Sequence, residues 1–261
     1  MNAKKAVGAV LVVALLGVSG KNVLAAQENE NAITDESILW QKVMEEYQND
    51  EQFLKNMEED PESAMQMIEN AVEKELNLLL MPLAGDQAVA YCTVPDIWQK
   101  PKQCGAASAY QAIAGAGGAG NIAGSSVEDK VETLWKEVRA DDQNSSVVWK
   151  ITRSLNSYVP GGNYTYKEGG VIGQSGFELY TAQSLLANHP VILHAITTNI
   201  KYYKNHYSRH YICVSGINRN TGIVTVVDCN NDAEYHGTRT MTVSEAYGSI
   251  TEEAARYLIY G

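Results

Sequence analysis

Cys104, His210 and Asp228 are the residues of this 261-residue chain whose types and surroundings suit one joint chemistry. A cysteine attacks as its thiolate, and an ordinary thiol, with a pKa of about 8.5, is mostly protonated at neutral pH. A helix N-terminus and a neighbouring imidazolium each lower that value. Cys104 meets the first condition: it follows the non-helical Gln99-Lys-Pro-Lys-Gln103 and opens Gly105-Ala-Ala-Ser108. Small residues there let a helix pack closely behind the sulfur. A cysteine that starts a helix is, taken alone, more often a core residue, so the second condition decides. His210 begins the run His210-Tyr-Ile-Cys-Val-Ser-Gly216, and Val226-Val-Asp228 ends the next one. Between them, Asn218-Arg-Asn-Thr-Gly222 is a hairpin signal. The hairpin brings the end of one strand near the start of the other. His210 and Asp228 share parity, so both can point to one face. A carboxylate beside an imidazole fixes its tautomer and supports its charged form.

The elements that must position these groups follow from periodicity. Cys104 to about Ala114 has the alanine-rich composition of a buried helix, and a glycine-rich loop runs on to Gly124. Ser126 to Val138, Ser145 to Tyr158 and Phe177 to Asn188 read as further helices, with Trp135 and Trp149 in the core. Pro190 to Thr197, Tyr211 to Ile217, Ile223 to Val227 and Tyr257 to Tyr260 read as strands. Helices come first and strands later, which argues an α+β domain over residues 88–261. Ahead of it, Trp40, Val43, Met44 and Tyr47 recur at helical spacing, with Thr34 as a candidate N-cap. Asp60-Pro61 opens another helix whose apolar face is Met65, Ile68, Val72, Leu76 and Leu79. Residues 27–87 thus read as a small helical region, either a spacer or a propeptide covering the site.

Charge and targeting follow the same division. The formal net charge is -11. Gln27 to Glu75 holds 15 of the 31 acidic side chains and 3 of the 20 basic ones, leaving the remainder near neutral. Neither part suits nucleic-acid binding, which needs Lys and Arg against phosphates. Residues 1–26 read as a signal peptide: Lys4 and Lys5, the apolar Ala6 to Val18, and a small-residue cleavage site at Val23 to Ala26. No cysteine follows that site to take a lipid, and no later run is long enough to span a bilayer. The mature chain is therefore expected to be secreted, with no membrane attachment. Of the four cysteines, Cys213 and Cys229 either pair across the hairpin or are small buried residues.

The motifs resemble those of cysteine peptidase family 39, which includes bacteriocin leader-processing peptidases and free-standing secreted relatives, all papain-like. Val94-Pro95, Gln99 and Cys104-Gly-Ala-Ala-Ser108 resemble its nucleophile motif. His189-Pro-Val-Ile192, His210-Tyr-Ile-Cys-Val-Ser-Gly-Ile217 and Val226-Val-Asp228 resemble its later motifs, over about residues 90–260. The resemblance implies a papain-like fold, with the nucleophile on the helical part and His and Asp on an antiparallel sheet. It makes Cys104 the nucleophile, His210 the base and Asp228 its orienting acid. Gln99 would donate to the oxyanion beside the Cys104 backbone N–H, an interaction typically worth about 3 kcal/mol of barrier. Gln103 is the alternative donor. Ala106 and Cys229 stand where the family has prolines. The implied substrate is a peptide or protein, with no cofactor and no metal. The alternatives are a silent binding module on the same scaffold, or an amide hydrolase or transferase using the same triad.

Other patterns carry less. Gly115 to Gly120 fits GxGxxG but follows a helix, not a strand, which defeats a dinucleotide reading. His206 and His210 are four apart, yet no Glu follows His206 and the segment reads as extended, against zinc. Tyr202, Tyr203, Tyr207 and Tyr211 either line a substrate groove or form a Tyr-rich strand surface.

Overall fold

The computed structural model describes residues 30–80, 88–142 and 144–261. The segment expected to be a signal peptide lies outside them. The chain divides into two compact units, with the boundary after Pro82.

In the first unit, α1 (Glu30–Tyr47), α2 (Glu51–Glu59) and α3 (Pro61–Leu80) follow one another with short turns. Asp50 caps α2 by accepting from the Phe53 N–H at 2.8 Å. Asp60 caps α3 by accepting from Ser63 N–H at 3.1 Å, with Pro61 in the first helical position, where a missing N–H costs nothing. The buried side is made of Val43, Met44, Tyr47, Phe53, Met67, Ile68 and Val72. Two corrections arise here. Thr34 lies inside α1, since the helix already starts at Glu30. The nine-residue α2 escapes a periodicity reading because it is too short to show one.

The second unit is a mixed helix and antiparallel-sheet domain. Its elements are β1 (Val89–Tyr91), α4 (Cys104–Gly115), α5 (Val127–Val138), α6 (Val148–Tyr158), β2 (Thr165–Glu168), α7 (Gln174–Leu186) and β3 (Val191–Ile196). They continue with β4 (Arg209–Asn218), β5 (Ile223–Asp228), β6 (Gly237–Thr242), α8 (Val243–Ser249) and β7 (Tyr257–Tyr260). The strands run β2-β7-β3-β4-β5-β6, with β1 paired to the far end of β4. Every pairing is antiparallel. The sheet's centre, β3 and β4, is almost wholly buried, so its strands read as continuous apolar runs and not as alternation.

Helix α4 packs on β4 and is flanked by α5 and α6. Gly105 through Ile113 are all buried, and a helix apolar on every side belongs in the interior. Its alanines permit that close approach. The tightest point is Gly105, where an added Cβ would lie 2.3 Å from Ser146 Cβ. Helix α5 starts with a reciprocal capping box between Ser126 and Asp129. Helix α6 begins at Val148, later than the sequence suggests, because Ser146 forms a β-bridge with Arg139 instead.

Candidate active site

Cys104 is the first residue of α4, and Gln103 ahead of it gives no side-chain cap. The first-turn N–H groups therefore have no intrahelical acceptor, and the positive end of the helix dipole faces the sulfur. Cys104 is half-buried. Burial alone would push its thiol up. A hydrogen bond from His210, the imidazole's charge and the backbone groups of Tyr211 and Gly105 outweigh this and hold it below the ordinary thiol value. Ser108, one turn on, donates to the Tyr211 carbonyl at 2.9 Å and fastens the helix to the strand that carries the histidine.

His210 and Asp228 lie on neighbouring strands, and a β-bulge decides that they meet. Near the hairpin turn β4 and β5 pair Gly216 with Thr225; beyond the bulge they pair Val214 with Val226 and Cys213 with Val227. Ser215 is the extra residue. One more step sets Asp228 across from Ile212, on the face that His210 shares. Were Ser215 paired in a regular ladder from the turn onward, Asp228 would fall across from Cys213 and point to the opposite face, since a one-residue slip reverses every side chain. The result is a 2.8 Å contact between His210 Nε2 and Asp228 Oδ1 with both residues buried. His210 thus turns its remaining ring nitrogen, Nδ1, to Cys104. Burial alone would lower the His210 pKa. The Asp228 charge and hydrogen bond, followed by those of Cys104, hold it above the ordinary value.

Asp228 is clamped on both oxygens. Oδ1 also accepts from the Asn230 backbone N–H at 2.9 Å, and Oδ2 accepts from the hydroxyls of Tyr202 at 2.9 Å and Tyr203 at 2.7 Å. Burial would raise this carboxyl; His210 and then the two tyrosines bring it below its usual range. The sequence pattern offers these tyrosines as groove lining or strand surface. They sit instead on a short 3-10 turn, Lys201–Tyr203, aimed at the carboxylate. Tyr207 bonds to Glu253 and Tyr211 to the Ser146 carbonyl. Nothing local in the sequence announces the turn, because its partners lie 25 and 26 residues away.

The loop before α4 is fixed at three points. Gln111 Nε2 donates to the Pro95 carbonyl at 3.0 Å. Trp98 stacks on His236 with ring centroids 3.5 Å apart. The Gln99 N–H donates to the Cys229 carbonyl at 2.8 Å. The Gln99 side chain is partly exposed, and its Oε1 accepts from the Cys229 thiol at 3.4 Å. Gln103, the alternative donor, is buried, and its Nε2 donates to Glu132 at 3.0 Å. Cys213 and Cys229 are free thiols; the pairing considered from sequence is not made, since Cys229 turns toward Gln99 and Ser108.

Among the described residues, His210, Asp228 and Cys229 bring possible metal-ligating atoms within 4.8 Å of one another. The His210 and Asp228 atoms face each other in a hydrogen bond. Burial, then the Asp228 charge, keeps the Cys229 thiol well above its ordinary pKa and so protonated, whereas a metal takes the thiolate. Gly115 to Gly120, the dinucleotide-like pattern, ends α4, with Gly117 at φ 85°. His206 stacks against Tyr235. No described helix is long and apolar enough to cross a membrane.

The arrangement places a depressed thiol, a charged imidazole and a carboxylate in one hydrogen-bonded line at a helix start, next to a side-chain amide. Such a line suits nucleophilic attack on an acyl carbon. No curated protein matches the chain. A family model described as Peptidase_C39 like family matches residues 91–258, which takes in every residue of this line and most of the sheet, and the chain belongs to that family.

Proposed function

We propose that the chain is a secreted cysteine peptidase that cleaves peptide or protein substrates through Cys104, His210 and Asp228. The observation that carries this reading is the hydrogen-bonded line from Cys104 through His210 to Asp228 at the start of α4. In it the Cys104 thiolate attacks the substrate carbonyl carbon. The carbonyl oxygen becomes an oxyanion, met by the Cys104 backbone N–H and the Gln99 side-chain amide. The intermediate collapses, the C–N bond breaks, and His210 gives its proton to the leaving amine. Neutral His210 then takes a proton from water, which attacks the thioester carbon and releases the acid and the thiolate. Asp228 holds the imidazole in the orientation this shuttle needs, and its four donors keep it ionised throughout.

Residues 1–26 are assigned to export and residues 27–87 to a propeptide or spacer. Intact-mass measurement of secreted protein should start at Ala26 or Gln27. Cleavage of a peptide library by the purified mature protein tests the catalytic reading. Turnover that vanishes in Cys104→Ser supports it; turnover retained in Cys104→Ser, or no cleavage of any peptide despite fast alkylation of Cys104 by iodoacetamide, sinks it.

A further inference from the structure

Cys229 is held against Gln99, the side chain assigned to the oxyanion. Its backbone carbonyl takes the Gln99 N–H at 2.8 Å, and its thiol donates to Gln99 Oε1 at 3.4 Å. One residue thus grips Gln99 at the main chain and at the tip of its side chain. The same sulfur lies 3.8 Å from the Cys104 carbonyl oxygen and 3.7 Å from Ser108 Oγ. Its single proton goes to the nearest and strongest of these acceptors, the amide oxygen of Gln99. Ser108 spends its own hydroxyl proton on the Tyr211 carbonyl. Cys229 is wholly buried, so water does not compete for the contact.

A glutamine amide has two ends, and only the NH₂ end can donate to an oxyanion. A partly exposed glutamine with both ends free rotates between them. With Oε1 tied to a buried S–H, the NH₂ turns away from Cys229 and outward. We infer that Cys229 is a positioning residue that sets the Gln99 amide with its donor end toward the oxyanion of the Cys104 reaction. This rests on the peptidase reading above. It gives a role to the place where a cysteine stands instead of the proline of the resembled motif. Proline there supplies no side-chain donor, so the clamp belongs to this chain's own residue.

The test separates the oxyanion from the thiolate. Alkylation by iodoacetamide needs a thiolate but forms no oxyanion, and it is followed at Cys104 by peptide mass analysis. Turnover is read with a fluorogenic peptide carrying a bond cut in the library screen. Cys229→Ala should lower kcat roughly fivefold, the effect of one neutral hydrogen bond, with KM and the alkylation rate within about twofold. Cys229→Ser keeps a donor in nearly the same shape and should restore kcat to within about twofold. Gln99→Ala with Cys229→Ala should be no slower than Gln99→Ala alone, since the clamp has nothing left to hold. Loss of alkylation in step with turnover, equal loss in the Ser and Ala variants, or losses that multiply in the double variant would each overturn the assignment. Failure of the parent reading looks different: Cys104→Ala would keep turnover, or Gln99→Ala would cost nothing.

Discussion

The helix that carries Cys104 and the hairpin that carries His210 and Asp228 reach the same point by different physics. The helix is locally determined. A non-helical lead-in, a cysteine and then a run of small residues give an uncapped N-terminus, a buried alanine-rich body and a sulfur at the positive end. The hairpin is determined at a distance. Its turn and strand content are local, but the face on which Asp228 lands depends on a bulge that neither His210 nor Asp228 controls. A site can therefore be half robust and half balanced on a register, and the two halves should fail differently.

The largest effect belongs to the helix side. Cys104→Ala should lower peptide turnover by about ten-thousandfold or more, since a triad's nucleophile and base act as a unit. His210→Ala should be nearly as damaging. Circular dichroism should show Cys104→Ala folded, while His210→Ala, which leaves the buried Asp228 carboxylate without its imidazole, should fold with a lower melting temperature. The hairpin half is broken by inserting an alanine between Val227 and Asp228. That moves Asp228 one step along β5 and turns it to the face opposite His210. Turnover should fall further than in Asp228→Asn, where the side chain stays in place and still bonds to His210. Equal rates in the two variants would show that the register does not govern the contact.

Gln99→Ala should cost about a hundredfold in kcat, the usual loss for one oxyanion donor, while Cys104 alkylation continues at its original rate. The pH dependence of that alkylation sharpens the comparison next. The Cys104 value is depressed and the His210 value raised. As pH falls through the Cys104 value the thiolate is lost; as pH rises through the His210 value the imidazolium is lost. Turnover should therefore plateau between the two, and alkylation should stay fast below the ordinary thiol range. His210→Ala should move the acid limb upward. An unshifted limb would mean that the helix end alone activates the sulfur. The smallest effect is Tyr203→Phe, which removes one of four donors to Asp228 and should lower kcat about fivefold, the effect of one hydrogen bond.

What could be read without coordinates was whatever a short stretch decides for itself. The helix at Cys104, the Asp60-Pro61 helix start, the Ser126 helix and the hairpin at Asn218 to Gly222 all rest on neighbours within a turn or two. Short or edge elements, namely α2, β1, β2, β6 and α8, were missed. Three to nine residues carry no periodicity, and buried Thr165-Tyr-Lys-Glu168 does not alternate.

Composition and spacing alone picked out Cys104 and the His210–Asp228 pair as chemically promising, because helix starts and hairpins are written locally; shared parity did not by itself put the pair on one face, since the ladder that starts at the turn pairs odd with even numbers. Four matters waited for the tertiary structure. The bulge at Ser215 decided the face of Asp228, the Lys201–Tyr203 turn clamped its carboxylate, Glu132 engaged the Gln103 amide, and Cys229 gripped Gln99 at main chain and side chain. Each joins groups from 25 to 130 residues apart or turns on a one-residue shift in pairing, and such contacts are selected by packing and hydrogen-bond satisfaction across the whole fold, which no local pattern encodes.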